Sequence, residues 1–146
     1  MGYNQAYNAY QSTNIKTASQ GRLIVLLYEA AVKNLKSAST LIDFDGKIKA
    51  SNIEKFSNLI QKTQAIISEL QVSLDMEKGG DIAKNLMSLY LYFNRELTDA
   101  SINHNKDKVT FVENMMSELL SAWRTASNST ANAPAAVMHS SLNITG

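Results

Sequence analysis

Apolar residues recur at spacings of three and four along residues 17–127, the period of amphipathic helices. In the first such stretch Leu23, Ile24, Leu27, Ala30, Ala31, Leu35, Ala38, Leu41 and Ile42 share one stripe. Thr17-Ala-Ser-Gln20 fits a capping box at its start, with Ser19 as a rival N-cap, and Asp43-Phe-Asp-Gly46 closes it. A second helix is expected from about Lys47 to Lys78, with Phe56, Leu59, Ile60, Thr63, Ile66, Ile67, Leu70 and Leu74 on its stripe. Ser51-Asn-Ile-Glu54 also resembles a capping box and offers a later start, while Gly79-Gly80 supplies a glycine stop. Asp81 is placed to cap a third helix, striped by Ile82, Leu86, Leu89, Tyr90, Phe93, Leu97 and Ala100. After a polar turn at Asn103-His-Asn-Lys-Asp107, a fourth follows with Val109, Val112, Met116, Leu119, Leu120 and Trp123.

Four long helical patterns, short connections and no strand-like alternation predict an all-α fold, an antiparallel up-and-down four-helix bundle. The expected organisation is an extended N-terminal segment over 1–16 (a strap or short extra helix), the bundle over 17–127 and a disordered low-complexity tail over 128–146. That tail is rich in Ser, Thr, Asn and Ala and holds the only proline, Pro134.

Two stretches exceed what one stripe needs. Leu23-Ile-Val-Leu-Leu-Tyr28 and Leu86-Met-Ser-Leu-Tyr-Leu-Tyr-Phe93 carry apolar side chains around the whole helix. Val25, Leu26 and Val32 in the first helix, and Met87, Leu91 and Tyr92 in the third, fall off the core stripe. Such a surplus marks a partner-binding surface, a homodimer interface, or a central helix enclosed by its neighbours. Tyr3, Tyr7 and Tyr10 lie too far out for a bundle helix; they fit equally a strap packed on the bundle and a plug over a groove.

Composition narrows the function. A net charge of +1 gives no footprint for nucleic acid or an anionic membrane. The absence of cysteine excludes disulfides and thiolate metal sites. The start Met-Gly-Tyr-Asn-Gln lacks a signal peptide's apolar stretch, and no run is long enough for a membrane span, so a cytoplasmic protein is expected. His104 and His139 sit in a turn and in the tail, where solvation is their plain reading. Asp75, Glu77 and Asp81 flank Gly79-Gly80, and helix-end capping accounts for them more simply than a cation site. The glycine pair is not followed by the lysine and hydroxyl of a phosphate loop. The chain is therefore expected to be no enzyme and to need no cofactor or metal.

The ordered motifs resemble the flagellar secretion chaperone family FliS. The resemblance runs from Ala6-Tyr-Asn-Ala-Tyr10 through Ile15, Thr17-Ala-Ser19 and Leu23-Ile-Val-Leu-Leu-Tyr-Glu-Ala30. It resumes at Ser73-Leu-Asp-Met-Glu-Lys-Gly-Gly80 and Ile82-Ala-Lys-Asn-Leu86, then takes in Leu89-Tyr90, Leu97 and Leu120-Ser-Ala-Trp123. It implies a bundle that holds the disordered C-terminal segment of flagellin in hydrophobic grooves, keeps it from polymerising early and docks at a flagellar export gate component. By position, Tyr7, Tyr10 and Ile15 match the N-terminal element that influences client binding. An anti-sigma factor is a further candidate client, and a monomer or weak homodimer is implied. The chain departs from the family in Gln20, where proline is usual, and in its long tail. The alternative is a self-associating structural bundle with no flagellin client.

Overall fold

The computed structural model describes residues 20–129, which form helices α1 (Gln20–Thr40), α2 (Ile53–Ser73), α3 (Gly80–Asn103) and α4 (Lys106–Ser129). A single 3-10 turn, Ala50–Asn52, precedes α2. Consecutive helices pack side by side through short connections and α4 returns to α1, closing an antiparallel four-helix bundle as the apolar periodicity predicts. The expected N-terminal segment, with Tyr3, Tyr7, Tyr10 and Ile15, lies outside the described residues, as does the chain after 129.

The core follows the predicted stripes. Ile24, Leu35, Phe56, Ile60, Ile67, Leu70, Tyr90, Phe93, Leu97, Val112 and Met116 are fully buried and belong to one cluster. Ile82 departs from its stripe: it lies in the first turn of α3 and is exposed. Thr63 satisfies its buried hydroxyl by donating to the Leu59 carbonyl at 2.8 Å, and so sits in the core without an orphaned polar group.

The second helix is shorter at both ends than its pattern suggests. Ile48 is drawn into the core and forms an antiparallel bridge with Ile42, which keeps the chain extended through Lys49. Helical geometry therefore starts at Ile53 rather than near Lys47, and its N-cap Asn52 makes no side-chain capping bond. At the other end Leu74 turns extended and buried. Asp75 Oδ1 then accepts the backbone N–H groups of Glu77 (3.1 Å) and Lys78 (2.9 Å), forming a turn where the helix was expected to run on. Gly79 and Gly80 accordingly open α3 instead of closing α2. Gly79 is the N-cap, Gly80 takes φ +54°, and Asp81 lies in the first turn rather than at the cap.

His104 is not simply solvated. It closes α3 in the left-handed conformation (φ 52°, ψ 44°), half-buried, with its ring edge-on to Phe56 at 5.7 Å.

Candidate functional site

The apolar surplus divides between α1 and α3. Helix α1 packs more extensively against α2 and α4 than α3 does against either of its neighbours, so α1 buries a wide arc of its surface. Val25 and Val32, each 8% exposed, join the core cluster, which corrects their assignment to a free surface. Val32 lies beside Leu120 in the floor of a shallow groove between α1 and α4. Of the three off-stripe residues of α1, only Leu26 keeps appreciable exposure. The enclosed-helix explanation thus accounts for most of the first stretch.

Helix α3 retains its surplus, but not as one continuous patch. Met87 turns toward α2, where its sulfur takes a long 3.9 Å contact from the Gln71 amide. That flank is otherwise polar: the Gln64 side chain donates to the Asn94 carbonyl and the Thr98 hydroxyl. Leu91 is 52% exposed. Tyr92 leans the other way, edge-on to Phe111 of α4 at 6.0 Å, with the Arg95 guanidinium 5.9 Å from its ring centre. Both aromatic residues remain partly open to solvent.

An apolar seam follows from this geometry. Leu89 stands three positions before Tyr92, and Met115 and Leu119 stand four and eight after Phe111, all half-buried against the core. The sequence pattern flagged Tyr92 and missed Phe111. The same signal could have found it, because Phe111 is an aromatic off the Val109–Val112–Met116 stripe. One end of the seam is polar: Lys108 pairs with Asp99 at 2.8 Å and Glu96 at 3.5 Å, and the Tyr92 hydroxyl donates to Glu96 at 3.4 Å. The Asp99 hydrogen bond lifts Lys108 above the usual lysine range, and Lys108 holds the Asp99 carboxyl below its own.

Among the described residues, no cluster of His, Asp and Glu is placed to hold a metal ion, and no helix is long and apolar enough to cross a membrane. What the bundle offers is a helix face with apolar side chains left partly uncovered. Its architecture defines its class: an all-α four-helix bundle.

The comparisons with known proteins place it within that class. The family model for flagellar protein FliS matches residues 3–130. The flagellar secretion chaperone FliS of Campylobacter jejuni is 34% identical over 128 residues, covering 88% of this chain and 95% of the relative. That of Salmonella typhimurium is 32% identical over 111 residues (75% of this chain, 78% of the relative), and that of Bacillus subtilis 27% over 126 (86% and 89%). The fold matches a solved bacterial flagellar chaperone with a TM-score of 0.65 at 17% identity, covering 84% of this chain and 94% of that one. The chain belongs to the FliS family, and its role is that of a chaperone in flagellar export, which implies a protein partner.

Proposed function

We propose that the chain binds the C-terminal segment of flagellin in the cytoplasm, keeps it from polymerising before export and delivers it to the export apparatus. The observation that carries this reading is the open apolar seam of α3 and α4, with Tyr92 and Phe111 exposed beside half-buried Leu89, Met115 and Leu119, while Leu91 adds a separate exposed position one helical turn on from Met87. A client that is disordered when free loses chain entropy on binding and needs extended apolar contact to offset that loss. A helical client laying apolar residues into such a seam gains it without any chemistry. Leu26, Met87, Leu91 and Tyr92 remain the proposed contacts within the described residues, with Phe111 added, while Tyr7, Tyr10 and Ile15 are proposed to modulate access.

The test is calorimetric titration of the full chain with a C-terminal peptide of about forty residues from the flagellin of the same organism. One-to-one binding with a large negative heat-capacity change and a gain in helicity is the expected result. Absence of binding both by the full chain and by a variant lacking residues 1–16 would sink the reading. Self-association through the same seam would then be the better account, and sedimentation would show it.

A further inference from the structure

The two halves of α3 are held to the bundle unequally. In the second half Phe93, Leu97 and Ala100 are completely buried. Lys108 of α4 pairs there with Asp99 at 2.8 Å and with Glu96 at 3.5 Å. Gln64 of α2 donates to the Asn94 carbonyl at 3.1 Å and to the Thr98 hydroxyl at 2.9 Å. Only His104 and Asn105 separate this half from α4, and the His104 ring is packed on Phe56. The first half, residues 80–91, buries Ala83, Leu86 and Tyr90 but leaves Ile82 and Leu91 exposed. Its contact with α2 through Gln71 and the Met87 sulfur is long, at 3.9 Å, and therefore weak. Its N-cap, Gly79, makes no side-chain capping bond, and Gly80 at φ +54° joins it to the turn at Asp75. The firm polar tie in this half is the 2.6 Å bond from Tyr90 to Tyr28 of α1.

Asn94 stands where the two halves meet. Its Oδ1 is buried with no hydrogen-bond partner, and its amide nitrogen reaches the Ser68 hydroxyl only at 3.5 Å. A buried, unpaired acceptor raises the energy of the closed arrangement, and contact with water relieves it. Helix α3 is also the least packed of the four. Partial openings of a folded protein are drawn from segments with few buried contacts, and they stop where the contacts become dense. In α3 that boundary falls between Leu91 and Phe93.

We propose that residues 80–91 are a flap, which swings off the bundle as one unit about Asn94 while the other helices and the rest of α3 stay folded. The Tyr28–Tyr90 bond is its latch, and Gly79 and Gly80 give its free end slack. Opening carries Leu89 away from α4, widens the α3–α4 seam and adds Leu86 and Tyr90 to the apolar surface a polypeptide can reach. The flap is a property of the free chain and does not depend on which client the seam receives. The test is amide hydrogen exchange of the full chain, read residue by residue by NMR without denaturant. With intrinsic rates divided out, residues 86–91 should share one rate, at least about tenfold faster than residues 97–101. Tyr90→Phe removes the latch and should speed exchange of residues 86–91 at least about threefold. Ile60→Val loosens the core of α2 beyond Gln64, away from the flap. It should speed the slowest amides about threefold and leave residues 86–91 unchanged. Three results overturn the proposal. A rate that falls smoothly from residue 84 to residue 101 would be simple fraying of a helix end. No response to Tyr90→Phe would mean that the opening does not break the latch. Equal acceleration of residues 86–91 and the slowest amides by Ile60→Val would mean that this segment opens only with the whole bundle.

Discussion

The hydroxyl of Tyr28 lies 2.6 Å from the hydroxyl of Tyr90, a hydrogen bond that joins α1 to α3 across the diagonal of the bundle. Both rings are fully buried, and Tyr28 also packs against Trp123 of α4 with ring centres 6.3 Å apart. Adjacent helices of a bundle are held by their apolar seams, but diagonal helices meet only where long side chains reach through the core. Here three helices converge on one polar point inside an apolar cluster.

This pair predicts an asymmetric mutational series. Tyr28→Phe leaves the Tyr90 hydroxyl buried without its partner and removes the group that Trp123 also hydrogen-bonds, so it should cost roughly 1–3 kcal/mol in urea unfolding. Tyr90→Phe should cost less, because Tyr28 keeps Trp123. The double variant should be less destabilised than the sum of the two, since it removes both hydroxyls together. Strict additivity would mean that the 2.6 Å contact carries no coupling.

The same burial makes stability sensitive to alkali. Loss of solvation pushes Tyr28 up to about 12, an effect that its hydrogen bonds to Tyr90 and Trp123 only partly oppose. Tyr90 is held well above the ordinary tyrosine value, first by burial and then by the proximity of Tyr28. The folded state thus keeps both phenols neutral while the unfolded chain ionises them near pH 10. Their contribution is fully present below pH 10 and is lost as pH rises from about 10 toward 12. The unfolding midpoint should be flat from pH 7 to about 9.5 and fall above 10, with Tyr28 alone accounting for roughly 2–3 kcal/mol over the full window. The Tyr28→Phe/Tyr90→Phe variant should show a shallower decline than the wild type.

Substitution by aspartate should separate the two apolar surpluses. Val32→Asp would put a carboxylate among core side chains at the floor of the α1–α4 groove, with Lys36 and Arg124 at its rim, and should still cost roughly 2–3 kcal/mol. Leu91→Asp sits on an exposed surface and should change stability by no more than about 0.5 kcal/mol. On the proposed function it should nonetheless weaken flagellin-peptide binding about tenfold or more. Circular dichroism of each variant, followed by the peptide titration, checks both halves. Wild-type affinity in a folded Leu91→Asp would remove Leu91 from the client surface.

That contrast shows what the pattern of residues could and could not reveal. The core stripes were legible because a helix of period 3.6 repeats its buried face locally, as Phe56–Ile60–Ile67 and Phe93–Leu97–Ala100 do. Val25 and Leu91 look alike in sequence, each an apolar residue off its stripe. One is buried and the other open because α1 has close neighbours on two sides while α3 is less enclosed. That is tertiary information no local window contains. Of the two starts the pattern allows for α2, the later one near Ser51 agrees with the structure, and the one near Lys47 fails for a related reason: the Ile42–Ile48 bridge holds the chain extended there. Tyr28 was visible as part of an apolar run, but its hydroxyl's partner lies 62 residues away.

His104 gives a last test, in which two opposed effects meet at one residue. Its φ of 52° is a conformation that costs an ordinary side chain roughly 1 kcal/mol, and glycine would relieve it. The edge-on contact of its ring with Phe56, at 5.7 Å, returns about 0.5–1.5 kcal/mol that glycine would forfeit. His104→Gly should therefore be nearly neutral in thermal unfolding. His104→Ala keeps the strain and loses the ring, and should be the more destabilising variant by about 1 kcal/mol. The reverse order, with alanine better tolerated than glycine, would mean that the left-handed cap is not what this turn between α3 and α4 requires.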